Sequence, residues 1–167
     1  MFRHYGQTLS IPIIKVRSKQ YTKEIEISYH NNWQKLHWRS IESAYRHSPY
    51  FEHYSDYFKP FYEKQYKYLT DYNFELQEVL LDLLEINVNI SKTNAYVKEC
   101  SVDLDDFREV IHPKPHKSAV DNQFIPKPYT QVFSNRYGFI PNLSIIDLLF
   151  NEGPNAVSYL QECFANV

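Results

Sequence analysis

The stretch Asn31–Lys67 constrains the fold of this chain more than any other. It holds both tryptophans, three of the seven histidines and a dense run of aromatic residues. Trp33, His37, Ile41, Ala44 and Tyr45 recur at helical spacing, with Lys35, Arg39, Glu42 and Arg46 on a separate charged stripe. The pattern predicts a helix from Trp33, with Asn31 or Asn32 as its N-cap and Ser48-Pro49 as its stop. Ion pairs on the charged stripe would contribute only about 0.2–0.5 kcal/mol each, so that stripe is a solvated face. A second helix is expected to start at Ser55 or Asp56, with Pro60 in its first turn and Phe58, Phe61, Tyr62, Tyr66 and Leu69 on its buried side. The two helices would meet at an aromatic corner.

Upstream, Leu9–Val16 is a β-branched run interrupted by Pro12, and Ile25–Tyr29 alternates apolar with polar residues. Both read as strands, paired as a hairpin across Arg17–Glu24. Downstream, Asp71–Asn73 marks an expected break. Leu76, Val79, Leu80, Leu83 and Leu84 then form a clean helical stripe ending near Ile86. Val88–Ile90, Ala95–Val97 and Tyr129–Phe133 are short strand candidates. Residues 101–128 carry four prolines among many charges and read as a long irregular loop, with helical character only over Asp103–Ile111. Ser144 and Asp147 have the spacing of a capping box before a helix that is apolar nearly all round. Gly153-Pro154 would end that helix and start the last one, with Val157, Leu160 and Phe164 inward. The expected class is α+β: a mainly helical single domain over residues 1–167 with a small N-terminal β element.

Composition narrows the function. A chain of 167 residues, 43% hydrophobic and 23% charged, can bury a sizeable core. Fifteen tyrosines and eleven phenylalanines against three glycines suit a core edged with amphipathic rings, or a groove for sugars or bases. A net charge of −2 supplies no basic field for nucleic acid. Cys100 and Cys163 lack CxxC or His spacing, and His112-x3-His116 and His47-x5-His53 lack further ligands nearby, so no metal and no cofactor is expected. The start MFRHYGQTLS has no apolar signal core, and Asp82 and Glu85 interrupt the greasiest run, Val79–Ile86. No membrane span and a cytoplasmic location are therefore expected.

Two blocks together resemble the WbqC-like family. One is His37-x3-Ile41-x3-Tyr45 followed by Ser48-Pro49-Tyr50-Phe51. The other is Tyr129-x-Gln131-x-Phe133 followed by the run Gly138–Pro154, GFIPNLSIIDLLFNEGP. Members of that family usually begin some tens of residues earlier, with a strand and loop resembling QPxYxP, so this chain is expected to lack that segment. The resemblance implies a bacterial protein of O-antigen-type surface-polysaccharide biosynthesis. It also implies a transferase acting on an activated or amino sugar, with a sugar or nucleotide-sugar substrate. The alternative is a non-catalytic binding or scaffold protein of the same pathway, and a homodimer is the assembly considered.

His37 is the leading chemical candidate. Near a helix N-terminus the dipole favours the neutral imidazole, which suits a general base; the competing role is a core-edge histidine. Asp147 would orient His37 or bind a sugar hydroxyl, or else simply satisfy N–H groups at its helix start. Asn142 would bind substrate or hold a turn. Gln131 would be a solvent residue or the polar wall of a pocket, and Tyr45 a substrate contact on the His37 stripe. Lys15 and Lys114, with Arg17, Arg108, His112, His116, Lys117 and Lys127, would grip phosphates, or else belong to a solvated loop. No glycine-rich phosphate cradle and no GxSxG elbow occur.

Overall fold

The computed structural model describes residues 2–4, 7–15, 20–93, 95, 97–98, 106–107 and 123–164. Helix α1 spans Trp33–Tyr45 and buries the predicted stripe of Trp33, His37, Ile41, Ala44 and Tyr45. Asn32 stands at its N-cap without a side-chain capping bond. At the other end the Ser48 N–H and hydroxyl both donate to the Tyr45 carbonyl, at 2.8 and 2.5 Å, and Pro49 cannot continue the helix.

Helix α2, Phe51–Phe58, starts four residues before its expected cap. The reason is packing: Phe51, Tyr54 and Phe58, spaced i, i+3, i+7, are the residues that reach the core. Pro60 lies beyond α2, in a 3-10 turn over Lys59–Tyr62. Helix α3 runs unbroken over Leu69–Leu83, through the expected break, because Tyr72 is buried there. Its end is a Schellman motif: the Ile86 N–H reaches the Leu81 carbonyl at 2.9 Å and the Glu85 N–H that of Asp82 at 3.0 Å. Glu85 takes the left-handed conformation there, with φ +53°, where glycine is usual.

After α4, Ser134–Tyr137, come α5, Ile145–Glu152, and α6, Ala156–Cys163, joined by a 3-10 turn at Gly153–Asn155. Of the expected inner face of α6, Val157 and Leu160 pack against the core, whereas Phe164 is exposed, its ring 5.5 Å from that of Phe124. The main core forms where α5 lies on the α1–α2 corner. The Phe150 ring is met by Tyr45 and Phe51, each at 5.1 Å, and by Phe58 at 5.8 Å. The Tyr50 N–H donates to the Phe150 carbonyl at 3.0 Å. Gly153 has φ +56°, and a Cβ there would stand 2.6 Å from the Tyr50 ring. Glycine is thus demanded twice at this position, by backbone conformation and by space. A second core gathers Trp33, Phe61, Tyr66 and Tyr72 around Ile27.

The α+β class is corrected: the fold is mainly helical. Neither predicted N-terminal strand forms. The described part of Leu9–Val16 makes one isolated bridge, Ile13 with Ile27, and the Ile25–Tyr29 segment adds one between Glu26 and Tyr68. Pro12 has no N–H to offer a ladder, and past Leu9 and Ile11, which reach the cores, Ile13 and Ile14 are exposed, so the second half of the run has no covered face to fix a register. Among the described residues the strands are a ribbon of two three-residue segments, β1 at Phe2–His4 and β2 at Gln7–Leu9. Val88–Ile90 and Tyr129–Phe133 are not strands either, and Ala95–Val97 lies partly outside the described residues. Most of the 101–128 loop, with Lys114, Arg108, His112, His116 and Lys117, also lies outside them, as do Cys100 and Arg17.

Candidate functional site

Helix α5 is apolar nearly all round, and its third residue is a carboxylate with no exposure at all. Such a group is tolerable only if hydrogen-bonded. Asp147 accepts from the Tyr45 hydroxyl at 2.9 Å on one oxygen and from the Tyr129 hydroxyl at 2.6 Å on the other. One turn on, buried Asn151 donates its side-chain amide to the Asp147 carbonyl at 2.7 Å. Burial pushes the Asp147 pKa above the ordinary carboxylate value, and the hydrogen bonds from Tyr129, Tyr45 and Asn151 oppose it. The Tyr129 phenol is also pushed well up, first by burial and then by its bond to Asp147. The predicted capping box does not form. Ser144 makes no side-chain cap, and the Asp147 carboxylate turns into the core because two phenols await it there.

Gln131 is buried and uses both ends of its amide on one residue, donating to the Ile140 carbonyl and accepting from the Ile140 N–H, each at 2.9 Å. Buried rather than facing solvent, it clips two segments together. Asn142 is exposed in a turn with φ +59°, a conformation its short amide tolerates. Lys15 is exposed, and Lys114 lies outside the described residues.

The structure does not join His37 to Asp147. Tyr45, which holds Asp147, stands eight residues from His37 along α1, about 12 Å at helical rise. Both Asp147 oxygens are occupied by tyrosines. The His37 imidazole, 6% exposed, packs edge-on against Trp33 at 5.1 Å and Tyr62 at 6.4 Å. Burial lowers its pKa below the ordinary 6.5. Burial likewise pushes the Tyr62 phenol up to about 12, while a hydrogen bond with Tyr72 pulls it down. No hydrogen bond links the His37 ring nitrogens to a described residue. Among the described residues no group of three or more His, Cys, Asp or Glu stands close enough to hold a metal ion, and the Cys163 thiol is buried and free.

Tyr129 and Asn151, both in the second family-like block, are the members of the polar centre to which the sequence reading gives no site role. The available signal was Asp147 and Asn151 at i, i+4 on a helix otherwise too apolar to be wet. Tyr129 could not be chosen as the partner from among fifteen tyrosines.

Comparison with known proteins decides the family. The model of the WbqC-like protein family matches residues 3–112 and 115–159. The chain belongs to the WbqC-like protein family. It is similar to the uncharacterized protein Rv1507c of Mycobacterium tuberculosis, with 27% identity over 183 residues that span 94% of this chain and 77% of that protein. No solved structure gives a significant match. The two sequence blocks that carry the WbqC-like resemblance are the two surfaces joined in the core. Tyr45 reaches Asp147, and Tyr50 sits on Gly153 and bonds to Phe150. Among the described residues no helix of this WbqC-like chain is long and apolar enough to cross a membrane.

Proposed function

We propose that this WbqC-like protein is a transferase acting on an activated or amino sugar in bacterial surface-polysaccharide synthesis, with His37 as its general base. The family resemblance supports the substrate class. The observation that carries the base is His37 itself: a buried imidazole whose ring nitrogens have no hydrogen-bond partner among the described residues. Buried polar groups left unpaired are costly and cluster where a ligand or a reaction uses them. Held neutral by burial, the ring has a nitrogen lone pair free to take the proton of an attacking amine or hydroxyl. Asp147 serves as a positioning group that fixes Tyr45 and Tyr129, rather than as the orienting partner of His37.

A thermal-shift screen of the full chain against nucleotide-sugars and acyl or aminoacyl donors tests the substrate class, since a ligand at 100 times its Kd adds about 2.7 kcal/mol of apparent stability. With a substrate in hand, His37→Gln should preserve the fold and the ligand-induced shift while lowering turnover at least about 100-fold. The acid limb of kcat should fall below the ordinary imidazole pKa of 6.5, following the downward shift. Undiminished turnover by a folded His37→Gln protein rules out His37 as the base.

A further inference from the structure

The C-terminal end of α3 carries a groove of about 710 Å³ that the proposed chemistry does not use. Glu78, Asp82 and Glu85 line it at i, i+4, i+7, all exposed. Glu78 and Asp82 stand one turn apart on α3, about 6 Å at helical rise, and Glu85 follows in the turn that ends the helix. None of the three is in an ion pair among the described residues. Nearby Lys92 places its ammonium over the Phe74 ring, 4.3 Å from the centroid. Beside the carboxylates, Ile86, Val88 and Ile90 also line the groove, 37%, 54% and 39% exposed. The backbone of Asn87–Ile90 enters no hydrogen bond with a described residue.

We propose that this groove docks a short segment of a partner protein in which lysine or arginine alternates with apolar residues. Its apolar side chains would cover Ile86, Val88 and Ile90. Its cations would pair with Glu78, Asp82 and Glu85, and its backbone would reach the peptide groups of Asn87–Ile90, which bond to no described residue, as in strand addition. The charge excludes phosphate-rich partners and anionic lipid surfaces. The carboxylates are too widely set to share one metal ion, and the groove is far larger than an ion needs. A row of separated anions beside an apolar row matches a peptide with the same two rows.

The test is fluorescence anisotropy of the full chain with a labelled peptide of alternating lysine and leucine, beside the same peptide with glutamate for lysine. Only the basic peptide should bind, and binding should weaken as salt rises. The exposed pair Glu78→Lys and Asp82→Lys should weaken it about tenfold or more. Val88→Asp, which leaves all three carboxylates in place, should also weaken it. Equal binding of both peptides, no binding of the basic one, or binding indifferent to both the charge-reversal pair and Val88→Asp overturns the proposal. Self-association abolished by Val88→Asp, without peptide binding, also overturns it in favour of a second copy of the chain.

Discussion

Asp147 shows how one buried residue ties its own charge to two distant side chains. Removing it in Asp147→Ala takes away the buried acceptor of the Tyr45 and Tyr129 hydroxyls, which should cost about 1–3 kcal/mol in urea denaturation. Its titration has a definite sign. Burial raises the folded pKa above the unfolded one, so the folded chain holds this proton more tightly. The stabilising contribution is complete below the ordinary carboxylate pKa and is lost as pH rises through the raised folded value. Urea midpoints measured from about pH 4 to about pH 7 should therefore show wild-type stability falling relative to Asp147→Asn, whose amide does not titrate. His37 has the opposite slope. Its lowered pKa makes the folded chain shed a proton that the unfolded chain keeps, so stability is lost as pH falls below 6.5 towards the folded value.

Among the elements, the turn from α5 to α6 is the most exacting. Gly153→Ala imposes a Cβ on a left-handed backbone and drives it to 2.6 Å from the Tyr50 ring. The backbone part alone costs about 1–2 kcal/mol, and the clash adds to it. A double-mutant cycle with Tyr50→Ala should recover the clash but not the backbone cost, which separates the two in thermal or urea unfolding. How far such elements could be read from sequence depends on what holds them. The α1 stripe, its stop at Pro49, and the Gly153-Pro154 junction were legible because periodicity and proline or glycine geometry act locally. The start of α2 and the continuity of α3 were not. Phe51 is helical because Phe150 receives it, and Asp71–Asn73 stay helical because Tyr72 is packed with Trp33 and Phe61. The β-branched run at Leu9–Val16 failed as a strand because Pro12 interrupts any ladder and Ile13 and Ile14 are left exposed. In the candidate site, Tyr45, Gln131 and Asp147 stand out in the sequence as polar or amphipathic residues, and the structure buries all three in hydrogen bonds. Their partners were hidden because hydroxyl-to-carboxylate bonds between distant segments leave no spacing pattern.

For the whole molecule, Phe150 is the point where three rings from α1 and α2 meet α5. Phe150→Ala should cost about 3–5 kcal/mol and lower the urea midpoint measured by far-UV and by aromatic signals together. Separate midpoints would mean that the second core around Trp33 and Tyr72 survives alone. The same long-range closure bears on how the chain is made. The bond from Tyr45 to Asp147 spans 102 residues, so the aromatic corner leaves the ribosome long before the helix that covers it. At roughly 5–20 residues per second, α1 and α2 wait about 5–20 s with their core face bare. For this protein, the pace of translation sets how long that sticky surface is open to chaperones and to neighbouring nascent chains.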